Sequence, residues 1–214
     1  MNKDTIVQYV TDKVKRRSLH RFGLEALRLV MEAGANLHKP VWLDYGTLLG
    51  AYREHDFIKH DNDIDLAMFG ADFDLAFQRA LYDRGFNILR QFTLVDAQQP
   101  EKRQLTEITL KYKQVQIDIF LKFQADGTTF GYLWGKGEAQ CNKWKAFRDV
   151  FSYSGFKESE FLGVKVLVPE NTEDFLRCKY GDDFMQPQPG WQPKPKKYLP
   201  IEECYGEVLG GWIG

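Results

Sequence analysis

The chain of 214 residues is short of the features that mark several protein classes. It has three cysteines, Cys141, Cys178 and Cys204, widely separated and with no Cys-x-x-Cys pair. That spacing argues against a cysteine-built zinc site and offers no disulfide framework. An odd, scattered set of cysteines fits a reducing cytoplasm. No run of about 20 apolar residues occurs, so no transmembrane helix is expected. The polar start MNKDTIVQYVTDKVKRRSLH also lacks the apolar stretch of a signal peptide. Together these absences point to a cytoplasmic protein, with work at the inner face of a membrane left open. An excess of one charge is missing too. With 29 basic and 30 acidic residues the net charge is −1, which argues against nucleic acid as a partner, because binding its phosphate backbone needs a basic surface. A local basic pocket for one small phosphorylated ligand remains compatible with this balance.

What is present is enough for a packed core: 43% of residues are hydrophobic, with sixteen Phe and ten Tyr, which separates the chain from disordered sequences. Residues 4–35 read as a helix, with Ile6, Val10 and Val14, then Leu24, Leu27, Val30 and Met31, at helical spacing. Lys13, Lys15, Arg16 and Arg17 form a basic cluster on it, read either as a solvated face or as a contact for an acceptor or membrane surface. A short strand at 41–45 ends at Gly46, followed by one or two helical turns at 47–52, a loop at 54–61 and a second strand at 64–68. Residues 72–84 read as an amphipathic helix closed by Gly85. Residues 86–92 read as a strand. Residues 104–111 and 115–122 alternate about a short Tyr-Lys-Gln link and suggest a hairpin. Asp126-Gly127 signals a turn into a strand at 129–133. A strand at 164–168 precedes a helix reaching Tyr180, with Asn171 as its N-cap, Asp174 in its first turn and Gly181 at its end. The five prolines of residues 187–200 suggest an extended surface segment. The expected architecture is one α+β domain over 1–214, a small mixed sheet with helices packed mainly on one face. It comprises an N-terminal helical segment (1–38), a core carrying the chemistry (41–122) and a Pro-rich surface tail (187–214).

The chemistry concentrates in VWLDYGTLLGAYREHDFIKHDNDIDLAM, residues 41–68. Asp63 and Asp65, two apart in a strand, share a face. Two anions on one face repel each other unless a cation lies between them. Alone, the pair also reads as a solvated strand edge. A third acid changes the balance. Asp118 in VQIDIF lies inside an apolar strand, where an unpaired carboxylate is costly. If the two strands are neighbours, three carboxylates converge on a site for one or two Mg²⁺ ions, with Mn²⁺ as a substitute, and Asp61 is a further metal ligand or second-layer acid. Gly46 and Thr47, between strand and helix, suit a phosphate held by backbone N–H groups and a hydroxyl. Arg53 is a bidentate phosphate ligand in waiting. Lys59, His60 and Tyr45 lie close by in sequence, and Trp42, Tyr52 and Trp134 read either as core or as walls of an organic-group pocket.

The segment YGTLLGAYREHDFIKHDNDIDLAMF resembles the signature of the LicD/fukutin family, which has a nucleotidyltransferase-like fold of the DNA polymerase β superfamily. The superfamily pattern is a hydrophobic strand, Gly-Ser/Thr, Asp-x-Asp and a later Asp, matched here by Gly46-Thr47, Asp63-Ile64-Asp65 and Asp118. VPENTEDFLRCKYGDDFMQP resembles the family's end segment. Many members read Pro-Trp-Asp-Asp-Asp-Ile-Asp where this chain reads Lys59-His60-Asp61-Asn62-Asp63-Ile64-Asp65. The resemblance implies metal-dependent transfer of phosphocholine or a polyol phosphate from a CDP-linked alcohol to a hydroxyl of a cell-surface glycan or glycolipid, releasing CMP. It implies Asp63, Asp65 and Asp118 as catalytic and metal-binding residues, and Tyr45, Gly46, Thr47, Arg53 and Lys59 as substrate contacts. A nucleotidyltransferase moving a nucleoside monophosphate from an NTP to a small molecule would use the same acids; a silent glycan-binding relative on the same fold is a third reading, against which the three retained acids count.

Overall fold

In a computed structural model, which describes residues 3–138, 142–151, 154–188 and 198–210, a long helix opens the chain. Helix α1 spans Lys3–Asn36. Its Leu19, Ala26, Leu27 and Val30 are fully buried, a spacing of 7, 1 and 3 residues that keeps them on one helical stripe. That stripe packs on strands β1 (Val41–Leu43), β2 (Asp63–Phe69), β5 (Val115–Ala125) and β9 (Val164–Pro169). Between β1 and β2 lies helix α2 (Tyr45–Arg53). Helix α3 (Leu75–Asp83) follows a 3-10 turn, so it starts later than its apolar pattern suggests. Asp74 sets that start by accepting from the Phe77 N–H at 3.0 Å.

The remaining strands are β3 (Asn87–Asp96), β4 (Arg103–Tyr112), β6 (Thr128–Glu138), β7 (Lys143–Phe151), β8 (Phe156–Phe161) and β10 (Leu199–Gly210), with helix α4 (Thr172–Tyr180) before the last. Their pairing overturns the expected α+β, nucleotidyltransferase-like small mixed sheet with helices on one face. Strands β3, β4, β5, β6, β7 and β10 pair antiparallel around a closed circuit, a six-stranded barrel. Strand β5 also takes β2 as a parallel neighbour, and β1, β9 and β8 extend from there. The molecule is thus mostly β-strand with four α-helices among the described residues. Two strands hidden from pattern reading produce the difference. In KWKAFRDVF of β7 the charged residues interrupt the apolar alternation. Strand β10 begins within the Pro-rich tail, yet it pairs with both β3 and β7 and closes the ring. The rest of the proline-rich stretch, 189–197, lies outside the described residues, as does Cys141.

Phe92 on β3 stacks on Trp134 of β6 at 5.8 Å and meets Trp144 of β7 edge-on at 6.4 Å. None of these strands is adjacent to β3 in the circuit, so the rings fill the barrel. Gly206 on β10 makes the room. A Cβ there would stand 2.5 Å from the Trp134 ring. The β4–β5 hairpin turns on Lys113 and Gln114, both left-handed with φ of 44° and 70°, a two-residue turn rather than the three-residue link expected. Asn171 takes the N-cap position of α4 without a side-chain cap bond, and Gly181 ends that helix at φ 103°. No helix among the described residues is long and apolar enough to cross a membrane. Cys178 and Cys204 are not joined in a disulfide.

Candidate active site

Strand β1 stops at Leu43 because Asp44 turns the chain into α2 as its N-cap, accepting from the Tyr45 N–H at 3.0 Å. Tyr45 is therefore the first helical residue, with φ of 35°, rather than the end of the strand. The next two residues tie the helix to the acid strand. The Gly46 N–H donates to Asp65 Oδ2 at 2.9 Å, and the Asp65 N–H donates to Thr47 Oγ1 at 2.9 Å. Thr47 is buried and engaged in that tie. Gly46 is in close quarters: a Cβ would lie 3.0 Å from both Asp61 Oδ2 and Asp65 Oδ2. The glycine thus permits two carboxylates to crowd one helix N-terminus, where the dipole favours negative charge.

The parallel register of β2 on β5 sets Asp65 directly opposite Asp118, and Asp63 opposite Gln116. Ile64 and Leu66, fully buried, take the other face of β2. Burial first, then the Asp118 and Asp61 carboxylates, raise Asp63 to about 7. Burial, then Asp63 and Asp118, hold Asp65 well above the ordinary carboxylate range, against the Gly46 N–H that favours its charge. Asp61 is raised to about 6 by burial and then by Glu54. Asp118 is itself buried; its Oδ2 accepts from Gln116 Nε2 at 2.8 Å, while its Oδ1 has no hydrogen-bond partner.

A further acid, Glu107 on β4, escaped the sequence reading. It is buried, neighbours Thr109, the direct partner of Asp118, and is raised to about 8 by burial and then by the Asp118 charge. The signal was available: Glu107 in LTEITL, like Asp118 in VQIDIF, is an acid inside an apolar alternating strand. Hard oxygen donors clustered this closely, with one orphaned carboxylate oxygen among them, have the chemistry of a divalent-cation site. No group of three or more His, Cys, Asp or Glu among the described residues is already closed to ligating geometry, so an ion would have to draw these acids together.

Beside the acids opens a cavity of about 520 Å³ whose lining includes Gly46, Arg53, Asp61, Asp65, Lys179 and Tyr180. Arg53 faces it from a fixed position, donating to Glu54 Oε1 at 2.6 Å and to the Phe184 carbonyl at 3.2 Å. Lys59 is exposed and outside this lining. Lys179, lowered by burial, donates to Asp149, which also accepts from the Tyr45 hydroxyl at 2.9 Å. Burial and then Asp149 hold the Tyr45 phenol well above its ordinary value. Of the aromatic candidates, Trp42 is core, 4.4 Å from the Phe156 ring centre. Trp134 lies in the barrel. Tyr52 reaches Glu173 at 3.3 Å.

A family model described as LicD/FKTN/FKRP, nucleotidyltransferase domain, matches residues 38–171. The ribitol-5-phosphate transferase FKTN of Mus musculus is 29% identical over 212 residues, covering 94% of this chain and 43% of the mouse protein. The Homo sapiens protein of the same name is 27% identical over 211 residues, again with 94% and 43% covered. An uncharacterised protein of Caenorhabditis elegans is 38% identical over 156 residues, 71% of this chain and 39% of that protein. The chain thus spans less than half the length of these curated relatives.

Proposed function

The chain belongs to the LicD/FKTN/FKRP family, and on that premise we propose that it transfers a phosphorylated alcohol, ribitol 5-phosphate first among candidates, from a CDP-linked donor to a glycan hydroxyl. The observation that carries this reading is the convergence of Asp63, Asp65 and Asp118 from two paired strands beside the 520 Å³ cavity. The relatives named as ribitol-5-phosphate transferases support the choice of alcohol.

In this mechanism Asp63, Asp65 and Asp118 would hold Mg²⁺, with Asp61 and Glu107 as further acids of the same region. The ion, when bound, neutralises charge on the diphosphate. Arg53 and Lys179 supply positive charge on the cavity wall, beside the Gly46 backbone N–H that donates to Asp65. The acceptor hydroxyl oxygen bonds to the phosphorus that carries the alcohol. The bond from that phosphorus to the CMP oxygen breaks, and CMP leaves with the electron pair. A site carboxylate, Asp118 by position, takes the hydroxyl proton. Positioning and charge neutralisation supply most of the acceleration.

The test is product analysis with CDP-ribitol, CDP-glycerol, CDP-choline and NTPs in Mg²⁺. CMP release from CDP-ribitol with ribitol phosphate gained by the acceptor is expected. Asp63→Asn and Asp118→Asn should each lower turnover by at least about 10²-fold. Pyrophosphate release from an NTP, or full activity in either variant, would sink the reading.

A further inference from the structure

The family match starts at residue 38, yet α1 reaches the acid site from outside it. Lys15 Nζ donates to Gln116 Oε1 at 2.9 Å, and Gln116 Nε2 donates to Asp118 Oδ2 at 2.8 Å. The order of this chain of contacts is chemically forced. An ammonium only donates, so it takes the amide oxygen of Gln116. The amide NH₂ must then point the other way, at Asp118. With Asp118 Oδ2 occupied, Oδ1 is left buried and without a partner. A neighbouring contact clasps the same helix to the acid loop: Asn62 Nδ2 donates to Asp12 Oδ1 at 3.3 Å. Asn62 stands where the family pattern quoted above has Asp, a residue that would repel Asp12 instead.

We propose that Lys15, acting through the Gln116 amide, is a positioning residue that fixes which oxygen of Asp118 is free to meet the metal and the acceptor. This deepens the transferase reading and rests on it for the metal. It also gives one member of the Lys13–Arg17 basic cluster a specific task. Without Lys15 the Gln116 amide is free to rotate and present its oxygen to Asp118, which would push the carboxylate out of place. Outer-layer partners of metal-ligating groups commonly govern affinity or activity by about 10–100-fold.

The sign of one measurement separates positioning from simple charge. Mn²⁺ affinity, read by electron paramagnetic resonance, should weaken about tenfold in Lys15→Met. Mere removal of a nearby positive charge would tighten it. Gln116→Met should weaken it to a similar degree, and the double variant should be no worse than either single one, because both cut the same chain of contacts. Lys15→Arg, which retains the donor, should restore most of the affinity. Lys15 is only half-buried, so the two Lys15 single variants should melt near the parent temperature. A second readout needs neither metal nor substrate. The Gln116 side-chain NH₂ signals in ¹⁵N spectra should be protected from exchange in the parent and lose protection in Lys15→Met. Tighter Mn²⁺ binding, additive losses, or an unprotected Gln116 amide in the parent would each overturn the proposal. Absent Mn²⁺ binding and transfer with a protected amide that Lys15→Met exposes would overturn the transferase reading alone.

Discussion

Lys122 and Asp44 are 1% and 0% exposed and stand 2.7 Å apart, an ion-pair distance at an angle outside hydrogen-bond geometry. The ammonium compensates that with ring faces, lying 4.7 Å from the Tyr45 ring centre and 5.5 Å from that of Phe120. Asp44 also caps α2, so its charge is part of what holds Gly46 and Thr47 against Asp65. Removing one partner of a buried pair leaves the other charge uncompensated. Lys122→Met should therefore cost roughly 3–5 kcal/mol, read as a fall in the urea midpoint with unchanged slope. Lys179→Met should cost a comparable amount, because each aspartate keeps one bond from Tyr45, Asp149 from the hydroxyl at 2.9 Å and Asp44 from the backbone N–H at 3.0 Å. A loss below about 1 kcal/mol in either variant would show that the remaining bond compensates the buried carboxylate.

At the scale of elements, what could be read from the sequence was whatever local pattern determines. The β4–β5 alternation and its tight link were legible, and with them the inward face of Asp118. The Gly46-Thr47 junction and the Asp63-x-Asp65 strand were legible for the same reason. Glu107 is legible by the same rule as Asp118, an acid within an apolar alternating strand. Closure of the barrel was not legible, because β10 draws its strand character from its neighbours. It contains Pro200 and Gly206, poor strand formers in isolation, and becomes a strand by pairing with β3 and β7. That dependence is testable at Gly206, where the Trp134 ring fills the space a side chain would occupy. Gly206→Val should overpack the barrel and destabilise by about 1–3 kcal/mol. Pairing it with Trp134→Ala should recover part of the loss, and purely additive losses would place the clash elsewhere. At the turn of the β4–β5 hairpin, Gln114→Gly should stabilise by about 0.5–1 kcal/mol, since Gln114 holds φ of 70°.

Taken as a whole, the molecule gathers Asp61, Asp63, Asp65, Asp118 and Glu107 into one low-dielectric region where the α2 turn, β2, β4 and β5 meet, a concentration of charge that folding makes worse before any cation relieves it. The consequence is a pH dependence of definite sign. Folded pKa values of about 6 for Asp61, about 7 for Asp63 and about 8 for Glu107 lie above those of the unfolded chain. The folded state therefore binds protons more tightly, and the stability these acids contribute is complete at low pH and lost as pH rises through their folded values. In chelator, the melting temperature should fall between about pH 5 and pH 8.5. Asp63→Asn, which carries no charge at any pH, should flatten that fall. Mg²⁺ should reverse it, because the cation binds the ionised acids and displaces their protons, so the stabilisation by Mg²⁺ should grow with pH. Thermal melts of parent and Asp63→Asn across that range, with and without Mg²⁺, decide the matter. Mg²⁺ stabilisation that is the same at both ends of the range, or present in full in Asp63→Asn, would detach the metal from these acids.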